Sequence, residues 1–165
     1  MPNHCETDFT IYGRTEQVKA LMAKHVTEDG TLDCDSVIPY PDEYKELDRL
    51  AAEWQQHLLL RKYDGFNSGG YEWCYANWGT KWGTYSGRAI TEIVHDNDML
   101  EVQLSFESAW SPPTPVFDKL AEMYPSISFR AESFERGAAY QMLQEWKEGH
   151  KVTDREDRYD GPRGG

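Results

Sequence analysis

The chain has 165 residues, 39% hydrophobic and 13% aromatic, with 29 acidic side chains against 17 basic ones and a net charge of −12. That size and apolar share suit a single folded domain with its own core and exclude a disordered chain. The charge weighs against direct nucleic-acid binding, which draws most of its affinity from lysine and arginine, and favours a partner with a basic surface.

Cys5, Cys34 and Cys74 cannot all pair within one chain, and none stands in a C-x-x-C spacing. We therefore expect buried, reduced thiols in a reducing cytoplasm and no zinc centre. The opening "MPNHCETDF" has no basic stretch followed by an apolar run, so no secretory signal is expected. No segment approaches the roughly 20 apolar residues that span a bilayer.

Residues 5–13, "CETDFTIYG", alternate with Cys5, Thr7, Phe9 and Ile11 on one side, which predicts a half-buried strand. Val18, Leu21, Met22, His25 and Val26 then recur at helical spacing, with Thr15 as the expected cap and Gly30 as the stop. A short second strand is expected over "LDCDSVI", residues 32–38. From about 42 to 63 the pattern is a long inserted helix capped by Asp42, its stripe formed by Tyr44, Leu47, Leu50, Ala51, Trp54 and Leu58.

Beyond the aromatic stretch, Leu100, Val102, Leu104 and Phe106 alternate with polar residues in the clearest strand of the chain, and "HDND" before it suits a hairpin turn. Thr114 as cap, Pro115 in the first turn and Pro125 as terminator delimit a helix with Val116, Phe117, Leu120, Ala121 and Tyr124 inward. "SISFRAESF" is a strand with Ile127, Phe129 and Ala131 inward. Residues 138–152 fit both periods, and we read them as strand with a turn at Glu148-Gly149. The predicted architecture is an α+β sandwich of ferredoxin-like, split β-α-β type: a mostly antiparallel sheet with helices on one face. It forms one domain over residues 1–150, followed by a charged tail over 151–165, expected to be loosely held.

The stretch "YEWCYANWGTKW", residues 71–82, concentrates Tyr71, Trp73, Tyr75, Trp78 and Trp82. Alternation of the first three rings predicts a strand, and Lys81 stands where Trp78 and Trp82 could flank its ammonium. Two readings stay open: rings that seal the core, or rings left accessible for recognition.

"NHC", "IPYPDEY", "GFNSGGYEWCYANWGTKW", "SFESAWSPP" and "SFRAESFERG" together resemble the YubB-type ferredoxin-like domain family. The resemblance spans residues 3–137, with "NWGTKW" at 77–82 as its most specific part. It implies the ferredoxin-like fold, an origin on a bacteriophage, prophage or conjugative plasmid, and a bacterial cytoplasm. It implies no settled activity, so no catalytic residue carries over.

Catalytic chemistry finds little support in the spacing. Cys74 has no adjacent base, with His57 and His95 both distant in sequence. His4, Cys5, His25 and Cys34 are scattered without metal-ligand spacing, and Glu132 with Glu135 reads as a solvated edge. We expect a non-enzymatic binding protein without metal or cofactor. Its role would be as an acidic inhibitor or modulator of a host defence or nucleic-acid-processing protein, or of a partner encoded on the same element. The alternative is a nucleotide-signal sponge. The residues singled out for binding are Trp73, Asn77, Trp78, Lys81, Trp82 and Trp110, with Glu135 and Arg136 beside them.

Overall fold

The alternating segment at the start of the chain becomes the central strand of the sheet. In the computed structural model, which describes residues 3–53, 63–88 and 90–165, β1 (His4–Arg14) pairs on one side with β3 (Met99–Ala109) and on the other with β4 (Ser128–Glu135). Phe9 lies opposite Leu104 and Ala131, so the apolar phases of three strands coincide. β2 (Thr91–His95) pairs with β3 through the predicted hairpin, β5 (Tyr140–Lys147) with β4, and β6 (His150–Arg158) with β5. The order is β2-β3-β1-β4-β5-β6 with every neighbour antiparallel. β3 lies between β1 and β2, and β1 between β3 and β4. That interleaving is the ferredoxin-like split β-α-β arrangement, here extended by β5 and β6.

All helical core residues pack on one face. Val18 and Leu21 of α1 (Thr15–His25), Cys34 of α2 (Cys34–Val37) and Phe117 and Leu120 of α5 (Thr114–Met123) join Phe9, Ile11, Val102, Leu104, Phe129 and Trp146 in one buried cluster. Phe9 stacks on Phe117 and Phe129 at centroid distances of 4.6 and 5.8 Å. Among the described residues, no helix is long and apolar enough to cross a membrane.

Four local expectations are corrected. The strand expected at 32–38 is the short helix α2, because the Asp33 carboxylate accepts the Asp35 amide and starts a turn there. Leu32 keeps only a single bridge to Val26. Thr15 and Thr114 are the first residues of their helices rather than caps; Arg14 and Pro113 occupy the cap positions. Thr114 instead donates its hydroxyl to Gln144. Residues 71–78 form a helix, α4 (Tyr71–Trp78), not a strand. Cys74 and Trp78, four apart, face the core together, and Gly79 at φ +77° closes the helix.

The fourth correction concerns the tail. Residues 150–158 are the edge strand β6, and the chain beyond it folds back onto the open face of the sheet. Arg163 grips both Glu6 (3.0 and 2.8 Å) and Asp8 (2.7 and 2.9 Å), and the Gly165 amide donates to the His4 carbonyl. Of the inserted helix, α3 (Asp42–Glu53) is described; it has no fully buried residue, and Tyr44 packs against the core. The expected continuation over residues 54–62, with Trp54 and Leu58, lies outside the described residues. The Asp48 carboxylate accepts the Gly65 and Phe66 amides, and an irregular turn (Phe66–Gly70) leads into α4.

Candidate functional site

The chain leaving α4 is fastened to the end of β3. Thr80, fully buried, donates its hydroxyl to the Ala109 carbonyl at 2.9 Å and accepts the Ala109 amide at 3.0 Å. Ser111 donates to the Gly79 carbonyl. Tyr85 exchanges backbone hydrogen bonds with Glu107 at 2.9 and 2.8 Å. These ties set Lys81 between α4 and the residue that follows β3, Trp110.

Trp110 has φ +70°, a left-handed conformation that is an outlier for so bulky a side chain. Its amide donates to the Asn3 carbonyl, and its carbonyl accepts the Tyr140 hydroxyl at 2.8 Å. Trp110 is 43% exposed. The Lys81 ammonium lies 4.7 Å from the ring centre of Tyr71, 5.0 Å from Trp110 and 5.4 Å from Trp82. All three distances fall within cation–π range. The expected flank by Trp78 does not form, because that ring turns into the core.

Two walls of this cage continue into a cleft of about 380 Å³, lined by Phe66, Tyr71, Trp82, Gly83, Thr84 and Tyr85. Phe66 stacks on Tyr71 at 5.1 Å; Tyr71 and Trp82 lie 6.1 Å apart, and Trp82 and Tyr85 6.3 Å. Carboxylates stand at both ends of this row of rings. Burial raises the Tyr71 phenol, and Asp64 and Asp48 raise it further. Burial, then the Glu107 carboxylate, push Tyr85 up to about 12. The Tyr85 hydroxyl meets His4 Nδ1 at 2.8 Å.

The residues singled out from the sequence divide. Lys81, Trp82 and Trp110 come together in the cage. Trp78 is 4% exposed and donates its Nε1–H to the Ile38 carbonyl at 2.8 Å, so it is a core residue. Trp73 is partly buried against Trp78 and Tyr40, and the Asn77 amide group donates to the Trp73 carbonyl within the helix. Glu135 is 1% exposed rather than part of a solvated edge; its carboxylate accepts the Gly137 and Ala138 amides and holds the β4–β5 turn. Arg136 is exposed on that turn, outside the cage. Sequence reasoning missed Phe66 and Tyr85 as cleft walls. Each lies beside a glycine or threonine with no periodic signal, and only the tertiary ties bring them to Trp82.

The thiols are unsuited to nucleophilic work. Burial pushes Cys5 up to about 11, and Cys34 and Cys74 up to about 12. Among the described residues, no group of three or more histidine, cysteine, aspartate and glutamate side chains is placed to hold a metal ion.

Residues 90–160 match the family model described as the ferredoxin-like domain in Api92-like protein. No curated protein matches the sequence. In structure the chain is similar to the protein api92 from Yersinia pseudotuberculosis, with a TM-score of 0.56 and 12% identity, over 98% of this chain and 100% of that one. That identity carries the fold and nothing finer. The two comparisons thus agree on a ferredoxin-like domain resembling that of Api92-like proteins, in which β2 to β6, α5 and Trp110 lie within the matched segment while β1, Tyr71, Lys81, Trp82 and the cleft lie outside it.

Proposed function

We propose that this protein is a non-enzymatic binding module whose ring-lined cleft and cage engage a basic protein partner. The observation that carries the reading is the partial exposure of Trp82 and Trp110 around a lysine, on a rigid scaffold of charge −12. Aromatic side chains fixed by the backbone present a large contact area at small entropy cost, which is what binding hot spots require. Acidic groups at both ends of the cleft favour a cationic counterpart.

The resemblance of residues 3–137 to domains of phages and plasmids extends this reading. The protein would act in a bacterial cytoplasm as an inhibitor or modulator of a host defence or nucleic-acid-processing protein, by occupying that protein's basic groove. A nucleotide-binding role is weaker, because phosphates would enter a cleft flanked by Asp48, Asp64 and Glu107. The test is affinity capture from a bacterial host lysate with the parent and with Trp82→Ala/Trp110→Ala, followed by a dissociation constant for the purified partner. The expected outcome is a basic protein held in a salt-sensitive manner and lost in the double variant. Equal affinity for both forms would remove the cleft from the proposal.

A further inference from the structure

We infer that Tyr71, Trp82 and Trp110 form a cation cage in which Lys81 is a resident placeholder, displaced when a lysine ammonium of the partner enters. This rests on the binding role proposed above and specifies the chemistry of its central contact. Four observations lead to it.

Lys81 is set apart by its company. Lys45, Lys119 and Lys151 each pair with a carboxylate, and Lys19, Lys24 and Lys147 pair with none among the described residues, whereas the Lys81 ammonium is met by three rings. Among the described lysines, Lys81 has its ammonium within cation–π distance of three rings and Lys151 of one.

The cage is also built rather than incidental. Trp110 reaches its position only through a left-handed backbone, held by Asn3 on one side and Tyr140 on the other. Such strain persists where the surroundings over-determine it. The opposite wall is held as firmly, since Thr80 and Ser111 lock the turn that carries Lys81 and Trp82 to the end of β3.

The occupant, by contrast, is weakly held. Lys81 is half-exposed on a flexible stem and makes no hydrogen bond or ion pair among the described residues. Its hold on the cage is therefore cation–π attraction, about 0.5–1 kcal/mol at an exposed site. A second lysine that also gains contacts along the cleft can outcompete it.

Finally, the approach is open and of the right charge. Tyr71 and Trp82 are shared between cage and cleft, so a chain lying along Phe66 and Tyr85 would bring a lysine to the same rings. Asp64, Asp48 and Glu107 border that path.

The experiment uses the full chain and tetramethylammonium chloride as the probe, at constant ionic strength, read by quenching of tryptophan fluorescence and by indole N–H shifts in NMR spectra. Removing the resident cation in Lys81→Ala empties the cage. We expect saturable binding in that variant, about three- to sixfold tighter than in the parent, because occupancy by Lys81 lowers the competent fraction. Adding Trp110→Ala to Lys81→Ala should abolish it, and tert-butanol, the neutral probe of similar size, should not saturate. Circular dichroism spectra matching the parent establish that the variants are folded.

The absence of saturable binding in Lys81→Ala would overturn the proposal. So would an equal response to tert-butanol, retention of binding in the double variant, or parent binding as tight as that of Lys81→Ala. Since no partner protein is involved, this result is independent of the capture experiment. A failed cage with a retained partner would leave the binding module standing, and a working cage without partner capture would not.

Discussion

Replacing Trp78 by alanine tests the division of the indoles between core and surface. Trp78 is 4% exposed, packs against Tyr40 and Trp73 at centroid distances of 5.6 and 5.5 Å, and satisfies the Ile38 carbonyl at 2.8 Å. Truncating a fully packed tryptophan costs about 3–5 kcal/mol. The lost hydrogen bond places the expected value near the middle of that range, about 4 kcal/mol. For a chain of this length that is a drop of roughly 8–16 °C in Tm. Trp78→Phe keeps most of the buried area but loses the donor, and should cost about 1–2 kcal/mol. Trp82→Ala removes a half-buried ring on the cleft wall, and should cost on the order of 1 kcal/mol. Urea unfolding at 25 °C followed by far-UV circular dichroism measures all three without depending on the indoles as probes. A Trp78→Ala variant within 1 kcal/mol of the parent, or a larger loss from Trp82→Ala than from Trp78→Ala, would refute the assignment.

His25 is fully buried, bonded through Nδ1 to Ser36 at 2.7 Å and through Nε2 to Tyr124 at 2.9 Å. Ser36 donates its own proton to the Asp33 carbonyl, so Nδ1 is the imidazole donor and Tyr124 donates to Nε2, a neutral tautomer. Burial lowers its pKa. The unfolded chain therefore takes up the proton first, and stability should fall as pH drops below about 6.5 towards the folded-state value. Unfolding free energies between pH 7.5 and 5 should decline more steeply for the parent than for His25→Gln, and parallel curves would contradict this. Gly79→Ala would bring a Cβ to 2.7 Å from Pro115 Cδ at φ +77°, and should destabilise by about 1–3 kcal/mol in the same urea assay. The three thiols, all buried and raised in pKa, should resist Ellman's reagent at pH 8 in the folded protein and all react in denaturant.

What the sequence reveals of this fold follows the physics of half-burial. β1, β3 and β4 each have one face on the core and one in solvent, so their apolar residues alternate and the strands are legible. β6 lies at the sheet edge with nearly every residue exposed. Its backbone ladder to β5 requires no apolar side chains, and a charged strand there reads as tail. α2 is hidden for a different reason: of the two aspartates that interrupt the strand pattern, Asp33 caps a helix turn by accepting the Asp35 amide, and the Asp35 carboxylate accepts the Tyr40 amide beyond it. In α4 the rings of Tyr71, Trp73 and Tyr75 alternate by accident of composition, while the pair that decides the element is Cys74 with Trp78. Of the site, Lys81 beside Trp82 was legible as a cation next to an indole, and Trp110 was singled out for binding without a link to Lys81. The exclusion of Trp78 depends on that helical face, and the inclusion of Tyr71 on the turn at Gly79.

The position of the cage in the topology bears on where function resides. In a split β-α-β unit the crossover from β1 to β2 needs only one helix, which α1 supplies by packing Val18 and Leu21 into the core. Everything from α2 to Tyr85 is additional chain within that crossover, and it contains Lys81, two walls of the cage and the whole cleft. The matched segment of residues 90–160 contributes the third wall, Trp110, and the strand end to which the inserted chain is tied. Within that segment β3 and β4 do not pair with each other; both pair with β1, which comes from the other end of the chain. The sheet that positions Trp110 therefore exists only when residues 4–14 are in place. Cage geometry is coupled to folding of the whole domain, with Asn3, at the foot of β1, holding Trp110 in its strained conformation.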